Sequence, residues 1–445
     1  MTTTEPSVPL ADRLLSLLDH LGIGAAHLAT QMPGDIADLT ARSPDRVAGV
    51  VLAVPVRVDP VAFEPVADRL LVVSGDHGIG AEVAARTLAR LPGSRRRALS
   101  DYEGTGWCDV AADRTADFSQ AIMQFLSAGA AAARATAPSR PVPPAGSHAG
   151  IGWRAQGSGP ALVLLPFFLA ASQWDPVIPV LACRFTVIRL AGAHVGGVAT
   201  LEDRAASASY RAMFHTLVDN MQPRPGERVL DVGCGSGALD RLLAHRLGPA
   251  NPIEAIDLND YILGEAAKLA LAEGVGDIIR FSRASATRLP FPDAHFGCIF
   301  SVTVLEECDA EKALSEMMRV AVPGGRIGIV VRAIDMNQWW SFAVPETLRS
   351  RADTPPQSIG KGGVADARIY GLMQRAGLVD LAPFPYLVTI TRPDSPVWRY
   401  REDAVLNELD ASERRQWEAA RNEAAAAGLL FQAQALHCAV ARKPG

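Results

Sequence analysis

From residue 205 onward the chain alternates two kinds of apolar pattern. "RVLDVG" (228–233), "PIEAIDLN" (252–259), "IIRFSRAS" (278–285), "HFGCIFSVTVLE" (295–306) and "RIGIVVRA" (326–333) are short, β-rich runs. Between them, "GALDRLLAHRLG" (237–248), "DYILGEAAKLALAEGV" (260–275) and "AEKALSEMMRVAV" (310–322) set apolar residues three and four apart. The first pattern marks strands and the second marks helices. The third helix is predicted to stop at Pro323-Gly324-Gly325. Such alternation predicts a parallel, doubly wound α/β sheet, which gathers ligands at the carboxyl ends of its strands, where the strand order reverses. The tail "DASERRQWEAARNEAAAAGLLFQAQALHCAVARK" (410–443) predicts a helix and then a strand that completes an antiparallel edge.

Upstream, "SAGAAAARATAPSRPVPPAGSHAG" (127–150) holds small residues and prolines with no apolar period, the signature of a linker. A softer seam falls near 191–205. The expected divisions are 1–126, a linker at 127–149, a segment at 148–200, and a domain at 205–445. The total of 445 residues suits two or three domains at roughly 150 residues each. With 43 basic against 48 acidic residues and a net charge of -5, there is no footprint for a polyanion, so no nucleic-acid partner is expected. No apolar run reaches the roughly 18 residues that would span a membrane. "MTTTEPSVPL" lacks the basic and apolar regions of a signal peptide. Cysteines 108, 183, 234, 298, 308 and 438 are scattered, so neither a disulfide framework nor a metal site is signalled. The expectation is a reduced, soluble, cytoplasmic protein.

The stretch "RVLDVGCGSGALD" (228–240) carries the chemistry. A strand ending in Asp231 turns through Gly233, Gly235 and Gly237 into a helix, whose first N–H groups are unpaired. A pyrophosphate would use such groups with GxGxxG spacing. Here the spacing is GxGxG and an acid precedes it, which repels phosphate and welcomes a cation such as an ammonium. The next strand ends at Asp257, whose carboxylate can accept both hydrogen bonds of a ribose diol.

On these residues, 205–390 resembles a class I S-adenosylmethionine (SAM)-dependent methyltransferase of the small-molecule, quinone-biosynthesis type. "VLDVGCGSG", "IDLND", "ASATRLPFPDAHFGCIFS" and "VLEECDAEKALSEMMRVAVPGGRI" resemble four family blocks in order and spacing. The resemblance implies SAM as cofactor and a small-molecule methyl acceptor. It implies that Asp231 and the backbone of Gly233, Cys234, Gly235 and Gly237 hold the methionine end. Asp257 would hold the ribose, Leu258 would lie against the adenine, and Ser285 and Ala286 would line its edge. Ser301 and Val302 would lie just past the fourth strand, near the sulfonium. Ser285 stands where the family usually has Asp, which implies weaker cofactor binding, and Glu307 stands where it often has His. Glu307 and His295 are the candidate bases, although Glu307 also reads as a solvated helix cap. Acceptor-lining candidates are Tyr210 and His215, which otherwise pack their helix, and Trp339 and Trp340, one of which otherwise packs a lid to the core.

The first part resembles α/β-hydrolases in two pieces. Residues 8–53 resemble the nucleophile-elbow region, with Ala29-Thr30-Gln31-Met32-Pro33-Gly34 at the elbow; Gln31 replaces the serine and Pro33 a glycine. Residues 69–78 resemble the strand of the triad acid, and 104–126 the closing segment, with Trp107 about where histidine belongs. Residues 150–192 resemble the start of the same fold, with Pro166-Phe167 at the oxyanion loop. The second half thus precedes the first, either by circular permutation or as two relics in tandem. The expected whole is an α/β chain: a Rossmann-like class I methyltransferase sheet with a non-catalytic, N-terminal α/β-hydrolase-like domain that shapes the acceptor entry or makes a homodimer. Two other readings stay open: a SAM-fold binding or regulatory protein without transfer activity, and a bifunctional enzyme whose hydrolase half uses another nucleophile.

Overall fold

A computed structural model describes residues 8–104, 108–192, 194–354, 359–406 and 408–445. Trp107 lies outside the described residues. The chain forms two compact units. One comprises Met1–Thr200 with Pro393–Arg415; the other comprises Leu201–Arg392 with Gln416–Gly445. The segment Pro393–Arg415, left with the last domain on sequence grounds, packs in the first unit.

The first unit is built on one sheet of eight strands. They are β1 (Ala26–Thr30), β2 (Val47–Ala53), β3 (Leu70–His77), β4 (Arg95–Glu103), β5 (Ala145–His148), β6 (Ile151–Gln156), β7 (Ala161–Leu164) and β8 (Thr186–Ala191). Their order across the sheet is β4-β3-β2-β1-β7-β8-β6-β5. The two halves of the segment meet where β1 runs parallel to β7, Leu28 beside Val163. The pairings β5 with β6 and β6 with β8 are antiparallel. Strands β1 and β2 bury every residue. Leu28, Val50 and Leu52 enter the core on one face, while Ala29, Val51 and Ala53 enter that on the other. Covered on both faces, these strands read as unbroken apolar runs rather than alternating ones.

The expected linker is not structureless. Gly129–Arg134 is a helix and β5 pairs with β6. Alanine has the highest helix propensity, so an alanine run read only as small-residue punctuation folds as a helical turn.

The second unit has a Rossmann-like sheet. Its strands are β9 (Val229–Val232), β10 (Ile253–Asp257), β11 (Ile279–Arg283), β12 (Phe296–Val302), β13 (Ala321–Arg332), β14 (Trp339–Trp340), β15 (Val379–Pro383), β16 (Tyr386–Ile390) and β17 (Gln432–Arg442). The order runs β11-β10-β9-β12-β13-β17, with the first five parallel and β17 antiparallel to β13. The strand order reverses at β9, which puts the ligand crevice at its carboxyl end. Two expectations change. β17 is not an edge, because β14, β15 and β16 all pair with its far side, and ten of its eleven residues are buried. The helix before β13 ends at Val320, short of Pro323, because Ala321 is already extended. A residue close before proline is biased away from the helical region, and here the whole Ala321–Val322 step joins the strand.

Candidate functional site

β9 ends at Val232, and the chain turns through Gly233–Gly237 into the helix Ala238–Leu247. Gly233 has φ +88°, and a Cβ there would lie 2.2 Å from a Val304 methyl. Gly237 caps the helix at φ +70°, with the Phe281 ring 2.9 Å from where its Cβ would be. Both positions need the freedom of glycine and the missing side chain. The N–H groups of Gly233 and Cys234 donate to the Ile256 carbonyl at 2.8 and 2.9 Å. Asp257 accepts from Gly235 N at 3.0 Å and from Asn259 N at 3.2 Å. The carboxylate expected at the ribose therefore also holds the turn.

Two acids are buried beneath this turn. Asp231 belongs to β9, and Asp240 sits in the first turn of the helix. Among the described residues neither oxygen of Asp240 accepts from a nitrogen or a hydroxyl, and its carboxyl meets that of Asp231 across a proton held by one of the two. Burial pushes the Asp240 carboxyl up to about 7. Burial, then the Asp240 charge, pushes Asp231 well above the carboxylate range. The Cys234 thiol is pushed up by burial and by the same acids, so it is no nucleophile. Arg241 braces the turn: it donates to the Ser236 carbonyl at 2.8 Å, to Glu273 at 2.8 Å, and to Glu202. The Ser236 hydroxyl donates to Glu202 at 2.5 Å.

Leu258 follows β10 and is 61% exposed, an apolar surface at the mouth of the crevice. The Ser285 hydroxyl accepts from Thr287 N at 3.2 Å and lies 2.9 Å from the Thr287 hydroxyl, so it closes its own turn. Ala286 is turned into the core with Ile256 and Leu289. Ser301 and Val302 are the last residues of β12 rather than beyond it. The Ser301 hydroxyl donates to the Val232 carbonyl at 2.8 Å, and Val302 packs in the core. From this strand exit it is Val304 that abuts the glycine turn, a contact the sequence did not signal.

Glu307 pairs with Arg332 at 3.1 Å and is no solvated cap; Asp309 caps the following helix by accepting from Lys312 N at 3.1 Å. The neighbouring Glu306 was missed. It is fully buried, accepts from Arg332 N at 3.0 Å, and its second oxygen has no hydrogen-bond partner among the described residues. Burial, opposed by Arg332, raises it to about 7. Nothing in "VLEECD" separates one glutamate from the other; only burial does.

His295 is corrected. It precedes β12, its backbone N–H donates to Val320 at 2.7 Å, and its ring lies 3.3 Å from Arg228. A strand of this length puts it about 20 Å from the crevice end, at 3.3 Å per residue. His215 is also misplaced: it lies 3.5 Å from Arg246, by the last turn of Ala238–Leu247 and away from the glycines. Tyr210 is a core residue, with the Arg204 guanidinium 4.8 Å over its ring. Trp340 is buried, donates to the Ala352 carbonyl at 3.2 Å and meets Trp417 edge-on. Trp339 is 56% exposed and edge-on to Phe431.

The first unit has its own turn after β1. Gln31 is buried there, and its amide oxygen accepts from Phe168 N at 2.9 Å. Gln173 accepts from Leu169 N at 3.2 Å and Ala170 N at 2.9 Å. Three consecutive N–H groups of the loop after β7 are thereby occupied by side-chain amides. Among the described residues there is no group of three or more His, Cys, Asp or Glu able to hold a metal, and no helix long and apolar enough to cross a membrane.

Residues 230–329 match the family model of a methyltransferase domain. The chain is 40% identical over 128 residues to the ubiquinone/menaquinone biosynthesis C-methyltransferase of Ectopseudomonas mendocina, covering 28% of this chain and 50% of the relative. It is 38% identical over 146 residues to that of Pseudomonas putida (strain KT2440), covering 32% and 56%. The chain thus spans about half the length of the curated relatives it matches. Among solved structures, it is similar to geranyl diphosphate C-methyltransferase from Streptomyces coelicolor A3(2), at 18% identity and a TM-score of 0.31 over 53% of this chain and 76% of that one.

Proposed function

We propose that the second unit transfers a methyl group from SAM to a small-molecule acceptor. The observation that carries this reading is the buried pair Asp231 and Asp240 beneath the glycine turn, two carboxyls that meet each other and between which a shared proton, not a basic group, is the donor. Two buried acids side by side cannot both ionise without a cation, and the α-ammonium of a methionine head would supply both charge and donors. The other residues fit the same ligand. Each Asp257 oxygen accepts one backbone N–H and keeps a lone pair for a ribose hydroxyl. Leu258 offers an apolar face to an adenine. SAM supplies a methyl already activated on a sulfonium, so the protein's work is to hold the acceptor in line and exclude water. The match over 230–329 and the C-methyltransferase relatives support the same reading.

Calorimetric titration with SAM and with its demethylated product, S-adenosylhomocysteine (SAH), tests it. Micromolar binding of both is expected, and no binding of either would end the proposal. Asp257→Ala should weaken SAM by about 1.5–3 kcal/mol, the worth of hydrogen bonds to a charged acceptor, or roughly 10- to 150-fold. Unchanged affinity would remove Asp257 from the ribose.

The first unit we read as a circularly permuted, non-catalytic α/β-hydrolase sheet. Counted from β5 to β8 and then from β1 to β4, the strands run 1-2-4-3-5-6-7-8 across the sheet with the second antiparallel, the order of an α/β-hydrolase. The elbow position holds Gln31, whose oxygen takes the Phe168 N–H that an oxyanion would need. Gln31→Ala is expected to leave SAM affinity within about threefold, a change below ~0.7 kcal/mol, and to yield no turnover of a chromogenic ester. Ester turnover by the unaltered protein that this substitution abolishes would restore a hydrolase.

A further inference from the structure

A chain of three ionisable side chains stands at the crevice end of the second sheet, outside the glycine turn. Asp335 follows β13 by three residues. His437 lies on β17 opposite Val331 of β13 and is 6% exposed. Tyr370 is on the helix Arg368–Arg375. His437 Nε2 is 2.8 Å from Asp335 Oδ1, and His437 Nδ1 is 3.0 Å from the Tyr370 hydroxyl. The backbone holds this arrangement. Ala367 N donates to Asp335 Oδ2 at 3.1 Å, and Ile334 N donates to the Ala365 carbonyl at 2.9 Å.

The partners fix the direction of proton movement. An ionised carboxylate only accepts, so Nε2 carries the hydrogen and Nδ1 presents its lone pair to the tyrosine O–H. Burial first, then Cys438 and Asp335, hold the Tyr370 hydroxyl above its ordinary pKa. Tyr370 therefore carries a proton at neutral pH and gives it up only toward His437. A hydroxyl next to a histidine that is oriented by an acid is the arrangement that activates a proton transfer. Tyr370 is half-buried, and beyond its bond to His437 its oxygen has lone pairs that can accept an O–H. Position agrees: β13 is separated from β9 by β12 alone, and β17 lies one strand further. At about 4.8 Å per strand, His437 is roughly 15 Å from the glycine turn in the sheet direction.

We infer that Tyr370, His437 and Asp335 form the proton-accepting chain for a phenolic methyl acceptor, with Tyr370 touching the acceptor hydroxyl, an inference that rests on the SAM-dependent reading above. As the acceptor O–H breaks, its proton goes to Tyr370 oxygen, while the Tyr370 proton goes to His437 Nδ1. The imidazolium is paired by Asp335. The electron pair left on the phenolate, delivered through a ring carbon, forms the new bond to the methyl carbon as the methyl–sulfur bond breaks and SAH departs. The hydrogen on that ring carbon then leaves as a proton to water, which restores the aromatic ring as a phenolate, and the proton held on His437 returns through Tyr370 to that oxygen to give the phenol. One proton is released in total, and nothing is oxidised or reduced.

Two probes test this in the full chain. First, 4-nitrophenol is titrated against SAH-saturated protein about one pH unit below the probe's own pKa, and the yellow phenolate is read by absorbance. Phenolate is expected on binding to the unaltered protein and not to Tyr370→Phe, which keeps the ring and removes only the hydroxyl. Asp335→Asn should shift upward the pH at which the colour forms, a change that a merely structural role would not produce. Second, transfer from [methyl-14C]SAM to 1-naphthol is measured. Tyr370→Phe should lower kcat at least about 100-fold, within the range of general-base effects, with SAH affinity unchanged. Equal colour and equal kcat in Tyr370→Phe would overturn the proposal. Neither binding nor turnover of either phenol by a protein that binds SAH would overturn it too, and would leave the SAM reading standing. Loss of SAH binding in the unaltered protein would remove both.

Discussion

Asp231→Ala is expected to lower SAM affinity by at least about 100-fold, near 3 kcal/mol, at pH 8. Asp231 and Asp240 are buried together, and neither ionises easily without a cation between or beside them. An ammonium held there is a buried ion pair, and removing one partner of such a pair typically costs 3–5 kcal/mol. In the variant, the remaining Asp240 loses the Asp231 hydrogen bond that held its carboxyl down, so burial pushes it up further and it pairs less readily with the ligand's ammonium. Calorimetry reads the loss directly, and a dissociation constant within about fivefold of the unaltered protein would take the acid pair out of cofactor binding. The pH dependence has a definite sign. Asp240 titrates at about 7 when folded and near 3.9 when unfolded, so ligand-free stability is fully present below the lower value and is lost as pH rises through the higher one. Bound SAM favours the ionised acids. The Tm gap between bound and free protein should therefore widen with pH across this window, and binding below pH 7 should release a proton, seen as calorimetric heats that depend on the buffer.

Gly233→Ala is expected to destabilise the protein by about 3 kcal/mol. Two terms add. A non-glycine residue held at positive φ costs roughly 1–3 kcal/mol, and φ here is +88°. Overpacking costs roughly 1–3 kcal/mol more, and the new methyl would lie 2.2 Å and 2.9 Å from the two Val304 methyls. For a unit of this size, the Tm should fall by about 10 °C. The double substitution Gly233→Ala with Val304→Ala separates the terms, because it relieves the crowding and leaves the backbone strain; about half the loss should return. Full recovery would show that strain at this φ is negligible, and no loss in the single variant would mean that the turn relaxes.

The sheet order of the second unit was legible because period-two and period-3.6 segments alternate with few interruptions. Asp231 and the glycines were legible for a related reason: a strand that runs into a turn bare of side chains leaves its backbone open to a ligand. Asp240 was not. An acid in the first turn of a helix is what the helix dipole favours at any exposed position, so its burial leaves no trace in the sequence. Ser301 was placed past its strand because "FSVTV" carries no turn signal; the structure ends the strand at Val302, with Thr303 at φ +58°. His295 could have been set aside from the sequence alone, because it precedes a parallel strand and ligands gather where such strands end. The Tyr370, His437 and Asp335 chain could not have been read, because its members come from a helix, a strand and a loop spread over about a hundred residues.

The exchange of Pro393–Arg415 has a consequence for how the protein comes to exist. The polypeptide leaves the first unit at Thr200, returns to it for this segment, and then supplies β17 to the second unit. Neither unit is a continuous length of chain. During synthesis the edge of β13 waits for about a hundred residues before β17 can cover it, and the first unit waits longer for its final helix. Contacts of such sequence separation fold slowly and leave strand edges exposed to wrong partners. A fragment cut at Leu201 would carry Asp403, buried and raised to about 7 in its native surroundings, without the elements it packs against. The same cut would leave the first unit without its last segment, Pro393–Arg415.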